Sequence, residues 1–291
     1  MRTPFLIIGI FLLAVSCRTK EVPTDKPVIS VSIIPQKYFV EQLAGDLVEV
    51  QVMIPPGASP ATFEPNLSQI GMLDRSVLYL RIGYVGFEQS WMEKLSSVNP
   101  DMKIADLSEG VETIGGHSAY GQDQDGHSHE GTDPHIWMST VNARIIASNI
   151  LKELLLLFPE EQDLLRTRFE QFSLMLDTLH MEIADRLSNL ENRRFMIYHP
   201  ALTYYAREFG LEQIPLEIEG KAPSPAHFKE MSDLAIRNRI STIFIQQQFD
   251  RENAEVLARE TGAEIIQFDP LDLHWRDQML YIAEQLNRPL P

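Results

Sequence analysis

The sequence predicts an α/β protein: two lobes with parallel sheets flanked by helices, joined by one long rigid linker helix. Three observations lead there. Short β-branched runs alternate with helical patterns early in the chain and again late in it, and repeated strand–helix units imply parallel sheets covered by helices. Between the two series lies a helical pattern of about thirty residues, roughly 45 Å long at 1.5 Å per residue, more than one small domain needs. The 291 residues leave room for two domains of ordinary size. The predicted division is a first lobe over 28–158, a linker helix over 159–190 and a second lobe over 191–291.

In the first series, VISVSII (28–34) is short and β-branched, a strand. A helix follows Pro35, runs through Leu43 and ends at Gly45. VEVQVMI (48–54) alternates with period two, a second strand. The loop PPGASPATFEP (55–65) comes directly after it. A helical stretch around 66–74 leads into SVLYLRIG, a third strand. Residues 86–95, with Trp91 and Leu95 four apart, read as a helix, and MKIADLS as a fourth strand. The segment 108–134 is rich in Gly, Ser, Asp and His without apolar periodicity; loops of that length are usually functional or disordered.

VNARIIASNILKELLLLF (141–158) is strongly helical. Pro159, Glu160 and Glu161 open a fresh helix, with proline in the first turn and acids at the positive end of the dipole. Phe169, Phe172, Leu176, Leu179 and Ile183 then recur at spacings of three and four and mark one apolar face. The second series reads as the strand RFMIY, the helix ALTYYAREFG closed by Gly210, the strand LEQIPLEI and a helix over 225–238 opened by SPAHF. STIFIQ is the next strand, RENAEVLARETG a helix closed by Gly262, AEIIQF a strand and WRDQMLYIAEQL the last helix.

The N-terminus, MRTPFLIIGIFLLAVSC, sets Arg2 ahead of an apolar run, Phe5 to Val15, too short to span a bilayer. It reads as a signal peptide over residues 1–16. Cys17 is the one cysteine, so no intramolecular disulfide forms and the core must hold the fold. AVSC resembles a bacterial lipobox, whose cysteine becomes the lipidated N-terminus, with Ala14 where leucine is commonest. Residues 17–27 then form a lipid-anchored flexible tether, and the protein is periplasmic or displayed at the cell surface. A plain secreted protein with a stray leader cysteine is the alternative. The net charge of -16 argues against a nucleic-acid partner, which requires a basic face.

His199 follows the strand RFMIY, Asp269 follows AEIIQF, and the loop 55–65 follows VEVQVMI. Ligands of open α/β sheets bind outside the carboxyl ends of strands. His135, in TDPHIW, stands at the mouth of a helix. Imidazoles with a carboxylate suit a buried metal, and these residues come from both halves of the chain, so their site would lie between the lobes. Each also has a purely structural reading: a hydrogen-bonded histidine after a strand, a turn histidine after Asp133-Pro134, an Asp-Pro turn. Zinc-protease HExxH spacing, phosphate-cradling glycine loops and a nucleophile elbow are absent from the sequence.

The ordered set PPGASPATFEP, TDPHIWMS, YHPALTYYAREFGL, IEGKAPSPAHF, FIQQQFD and TGAEIIQFDPL resembles the cluster A solute-binding proteins of metal-importing ABC transporters, in particular the zinc-binding branch, from about residue 28 to the C-terminus. The resemblance implies a metal cleft between the lobes and a monomer that performs no catalysis. It implies capture of zinc outside the membrane and delivery to an ABC permease driven by its ATPase. It makes His135 and His199 metal ligands and puts Asp269 at the family's carboxylate or open position. The family's other first-lobe histidine falls at Ala61. Water is the simplest replacement there; Glu64 is another, and His117, His127 or His129 of the His- and acid-rich loop a third. Imidazoles suit zinc, whereas manganese prefers oxygen, and the manganese branch tends to carry a carboxylate where this chain has His199. With Ala61 in the pocket, manganese or iron(II) stays an alternative cargo. A degenerate site serving another solute or an adhesive role, and a zinc hydrolase using Glu64 beside a bound water, are the remaining readings. His180 is expected to be structural, and His227 and His274 to be surface or helix-cap residues.

Overall fold

The computed structural model describes residues 26–115, 131–217, 224–249 and 251–288. The expected signal peptide, Cys17, most of the tether, and His117, His127 and His129 lie outside the described residues. In the first half, strands β1 (Val28–Val31), β2 (Glu49–Val52), β3 (Ser76–Arg81) and β4 (Lys103–Asp106) alternate with helices α1 (Ile34–Ala44), α2 (Leu67–Met72) and α3 (Gly86–Val98). They form a parallel sheet in the order β2-β1-β3-β4. Helices α4 (Thr140–Leu157) and α5 (Gln162–Arg186) follow. The second sheet contains β5 (Arg194–Ile197), β6 (Glu212–Pro215), β7 (Thr242–Gln246) and β8 (Glu264–Phe268), with α6 (Thr203–Phe209), α7 (Pro225–Arg237) and α8 (Glu252–Thr261) between them and α9 (Trp275–Leu286) last. Its order, β6-β5-β7-β8, repeats that of the first, and it too is parallel. In each sheet the order reverses beside the first strand, the position where open α/β sheets leave a crevice.

The linker departs from expectation at both ends. Residues Pro159–Glu161 form a single 3₁₀ turn, and α5 itself is 25 residues, about 37 Å. At its C-terminus the chain turns at Leu187 and does not continue helical to 190. The Ser188 hydroxyl and N–H both donate to the Asp185 carbonyl, and the Arg193 guanidinium donates to the Leu187 carbonyl, which ends the ladder. Nor is α5 a bare strut. It packs along α1 and α4 of the first half and against α9 of the second.

The core follows that packing. One continuous apolar cluster takes in Phe39 and Leu43 of α1, Phe172, Leu176, Leu179 and Ile183 of α5, Trp275 and Met279 of α9, and Phe195 and Ile197 of β5. Strand alternation sends Met196 and Tyr198 to the opposite face, where a smaller cluster with Ile214, Ile243 and Leu257 packs under α7 and α8. The face of the second sheet toward α5 and α9 thus shares its core with the first lobe. Rings of Phe39 and Trp275 meet edge-on at 5.1 Å, with Phe172 5.9 Å from Phe39. Arg168 of α5 donates to the Ala44 carbonyl at 2.6 Å and so caps α1, whose chain exits through Gly45 at a positive φ of 54°.

A buried polar network sits at the carboxyl ends of β1 and β3. Glu88, in the first turn of α3 and 2% exposed, accepts from the Ser32 hydroxyl and from the Ile82 and Gly83 backbone N–H groups. Burial pushes its carboxyl up to about 7, against the lowering effect of those hydrogen bonds and of Arg81. The folded protein therefore binds this proton more tightly than the unfolded chain. Its contribution to stability is complete below the unfolded value of 4.5 and is lost as pH rises through about 7. Glutamine at 88 removes the titration but turns an amide donor toward a backbone N–H. Thermal melts should show Glu88→Gln clearly less stable than the parent at pH 5, with the gap closing by about 3 kcal/mol by pH 8. A gap that stays constant with pH would disprove the assignment.

Among the described residues no helix is long and apolar enough to cross a membrane.

Candidate metal centre

His135 is positioned by its own turn. Gly115 and Thr132 form an antiparallel bridge, and the Asp133 N–H donates to the Ile114 carbonyl at 2.9 Å. The chain then bends through Pro134, and Asp133 Oδ1 accepts both the His135 backbone N–H and its ring Nδ1, each at 2.9 Å. The imidazole is 8% exposed and lies against Trp137, ring centroids 5.3 Å apart. Trp137 fixes the next step: its indole N–H donates to the Pro270 carbonyl at 2.7 Å, and its own carbonyl accepts the Trp275 indole N–H at 2.9 Å. Ser139 then caps α4 by accepting from the Asn142 N–H.

His199 stands two residues past β5, at the reversal of strand order. Its carbonyl accepts from Gln246 Nε2 at the end of β7 and from the Ala201 N–H, both at 2.7 Å. Its ring Nδ1 is paired with the Glu217 carboxylate, which is buried two residues past β6. Phe249 stacks on the ring at 5.3 Å and 23°. The His135 ring centroid is 5.2 Å away at 71°.

The two halves of the chain thus bring together two imidazoles, each with Nδ1 held by a buried carboxylate. That arrangement leaves Nε2 as the nitrogen available on both rings. Two histidines bound through Nε2 to one tetrahedral ion at about 2.0–2.1 Å would have centroids about 5 Å apart, close to the separation found. Asp133 feels opposing influences. Burial pushes its carboxyl up, but the His135 charge and hydrogen bonds from His135 and Thr203 outweigh this and hold it below the ordinary aspartate value.

The other expected residues take different places. Asp269 follows β8, half-buried, and accepts from the Leu271 N–H at 2.9 Å and from Gln247 Nε2 at 3.0 Å. Burial raises its pKa, with Asp272 adding to the shift and those two hydrogen bonds opposing it. Ala61 and Glu64 are exposed on the loop after β2. That loop is docked on the start of α3: the Phe87 N–H donates to the Pro60 carbonyl at 2.8 Å, and Phe63 packs on Phe87. A Cβ on Gly86 would fall 2.7 Å from the Ala61 carbonyl, so only glycine permits this approach. Among the described residues no three His, Cys, Asp or Glu side chains close around one point as a metal site. The structure joins His135 to His199 and does not draw Asp269 or Glu64 into a cluster with them. His180 bridges elements, with Nδ1 2.8 Å from Glu208, while His227 lies in the first turn of α7 and His274 is the exposed N-cap of α9.

Three functional neighbours escaped the sequence reading. Glu217 was accessible through strand register. Ile197 pairs with Pro215, so positions 199 and 217 emerge side by side from neighbouring strands. Asp133 was visible only as a turn residue, and the turn and the ring contact use the same oxygen. Phe249 carries no local signal.

Two parallel α/β sheets of like order, a helix packed on both halves and an imidazole pair where they meet define a two-lobed solute-binding protein. The chain belongs to the ZnuA family, zinc-uptake complex component A periplasmic, whose pattern matches residues 29–285. It is similar to the zinc-binding lipoprotein AdcA of Streptococcus pneumoniae (strain ATCC BAA-255 / R6), 24% identical over 270 residues that cover 90% of this chain and 53% of that protein. The chain therefore spans about half the length of that relative. A crystal structure of ZnuA is 35% identical with a TM-score of 0.84, covering 90% of this chain and 98% of that one. A zinc-bound ZnuA deletion mutant is likewise 35% identical with a TM-score of 0.83, covering 92% and 100%.

Proposed function

We propose that this protein captures zinc outside the cytoplasmic membrane and delivers it to an ABC-type permease and its ATPase. One observation carries the reading: His135 and His199, from opposite halves of the chain, face each other at 5.2 Å with both Nδ1 atoms on carboxylates. Two imidazoles and two nearby carboxylates favour a divalent cation, and the nitrogen donors favour zinc over manganese. His135 and His199 are the ligands in this reading, with water completing the shell where Ala61 stands. Asp269 is a further ligand only if its Gln247 contact is exchanged for the ion. Cys17 is the lipidated residue, which anchors a monomer to a membrane in the periplasm or at the cell surface. No catalysis is required of such a receptor.

Competitive titration of the chain from residue 26 onward with zinc, manganese and iron(II) tests the proposal. One zinc bound tightly in preference to the other two is the expected result. Preference for manganese or iron would reassign the cargo, and no binding would leave a site for another solute. Ala61→His should raise zinc affinity by at least about tenfold, roughly 1.4 kcal/mol, if the loop after β2 faces the bound ion. An unchanged affinity would place that loop outside the site.

A further inference from the structure

The chain leaves β7 through two glutamines that reach in opposite directions. Gln246 donates its Nε2 to the His199 carbonyl at 2.7 Å, on the β5 side, and Gln247 donates its Nε2 to Asp269 Oδ2 at 3.0 Å, on the β8 side. Strand register explains why both are within reach. Ile197 pairs with Phe244 and Gln246 with Phe268, so positions 199, 246 and 268 run level across β5, β7 and β8. Strands lie about 4.8 Å apart, so the backbones of His199 and Asp269 stand roughly 10 Å apart across β7. An imidazole, an ion at about 2 Å from each donor and a carboxylate together fill such a gap. The turn after β8 is also tied to the segment of the other histidine, because Trp137, two residues past His135, donates to the Pro270 carbonyl at 2.7 Å.

The backbone at Asp269 is fixed by its own turn: its carbonyl accepts the Asp272 N–H at 3.2 Å, and Oδ1 accepts the Leu271 N–H at 2.9 Å. Oδ2 is the oxygen left for a ligand, and the Gln247 amide covers it. Gln247 is exposed and Asp269 half-buried, so this bond competes with water and is weak enough to be exchanged. Among the described residues Asp269 does not close with His135 and His199 around one point. To meet an ion held by the two rings the carboxylate has to shift, and the shift breaks its bond to Gln247. We propose that Gln247 is a positioning residue that sets zinc affinity: it holds Asp269 off the ion in the metal-free protein and weakens binding by the free energy of that bond. This rests on the reading of His135 and His199 as zinc ligands. The consequence concerns release. When the ion passes to a permease the receptor loses a carboxylate contact, and the waiting amide takes that carboxylate back, which offsets part of the loss.

The test uses the chain from residue 26 onward with zinc alone as probe. Gln247→Leu removes the amide at similar size from an exposed position, so the zinc-free melting temperature should stay near that of the parent. It should raise zinc affinity by about three- to tenfold, the range of one net hydrogen bond. In an Asp269→Ala background, where the amide has no carboxylate to hold, Gln247→Leu should change affinity by less than about twofold. NMR of the Gln247 side-chain amide reads the exchange directly. In the metal-free parent its resonances should differ from those in Asp269→Ala, and saturation with zinc should bring them to the position found in that variant. Lower or unchanged affinity in Gln247→Leu, an equal gain with Asp269 replaced, or an amide signal that zinc leaves unmoved would overturn the proposal. Failure of the ligand reading looks different, because His199→Ala would then bind zinc as tightly as the parent. Failure of the Gln247 role alone keeps the loss in His199→Ala and flattens only the Gln247–Asp269 cycle.

Discussion

Replacing His199 with alanine is expected to weaken zinc binding by more than about 100-fold, beyond the range of changes to orienting partners alone. The ring is the second-half imidazole whose centroid lies 5.2 Å from that of His135. Its loss also strands Glu217, whose carboxylate is buried and has the His199 ring as its ion-pair partner. A buried carboxylate without a partner favours its protonated form and no longer adds to the negative field around the ion. The backbone of the site should survive, because the His199 carbonyl, not its ring, binds Gln246 and the Ala201 N–H. Two measurements separate ligand loss from misfolding. Competition against a chelator of known strength gives the affinity directly. Thermal melts supply the second: zinc at about 1,000 times its dissociation constant stabilises the parent by about 4 kcal/mol, and the variant should melt alike with and without zinc. An unchanged affinity would remove His199 from the site and leave the imidazole pair as ordinary edge-to-face packing.

How much of this was readable in advance depends on the physics at each position. The helix read over 275–286 is the helix found, because its apolar residues recur at helical spacing and the chain before it is broken by Pro270 and Asp272. The first strand was read through Ile34 and ends at Val31. Ile33 and Ile34 suit a strand equally well, and only the helical continuation through Pro35 and the Gln36 contacts to the Ser32 and Ile33 N–H groups stops it. The linker was overextended because Glu160 and Glu161 favour a helix start and nothing local in Leu187–Leu190 forbids one. Arg193, from beyond the helix, decides that end. For the site, position after a strand marked His199 and position at the mouth of a helix marked His135, and the family resemblance made ligands of both. Their contact joins residues far apart in the chain, and no local spacing encodes it. Asp269 illustrates the opposite case. Its hydrogen bond to the Leu271 N–H is the contact of an Asp-Pro turn, so the plain structural reading of that residue is realised in its geometry.

The same long-range logic leads to the largest expected effect on stability. Trp275→Ala should destabilise the whole molecule by about 3–5 kcal/mol, the usual range for a buried large aromatic. The indole is 1% exposed and packs on Tyr38 and Phe39 of α1 while standing at the first position of α9. It therefore pins the last helix of the second half onto the first helix of the chain. Its N–H also satisfies the Trp137 carbonyl, whose residue in turn holds Pro270 beside Asp269. For a chain of this size the melting temperature should fall by about 10 °C. Because Phe39, Phe172, Trp275 and Phe195 share one cluster, the two halves should still melt in a single transition by calorimetry and by circular dichroism. Trp275→Phe separates the two contributions. It keeps most ring contact but leaves the Trp137 carbonyl without its donor, at a cost of about 1–3 kcal/mol, and it should lower zinc affinity more than its stability loss alone predicts, since the His135 turn is two residues away. Two resolved transitions in Trp275→Ala, with only the later one shifted, would show that the halves fold independently. The shared core would then be a surface of contact and not the cause of cooperativity.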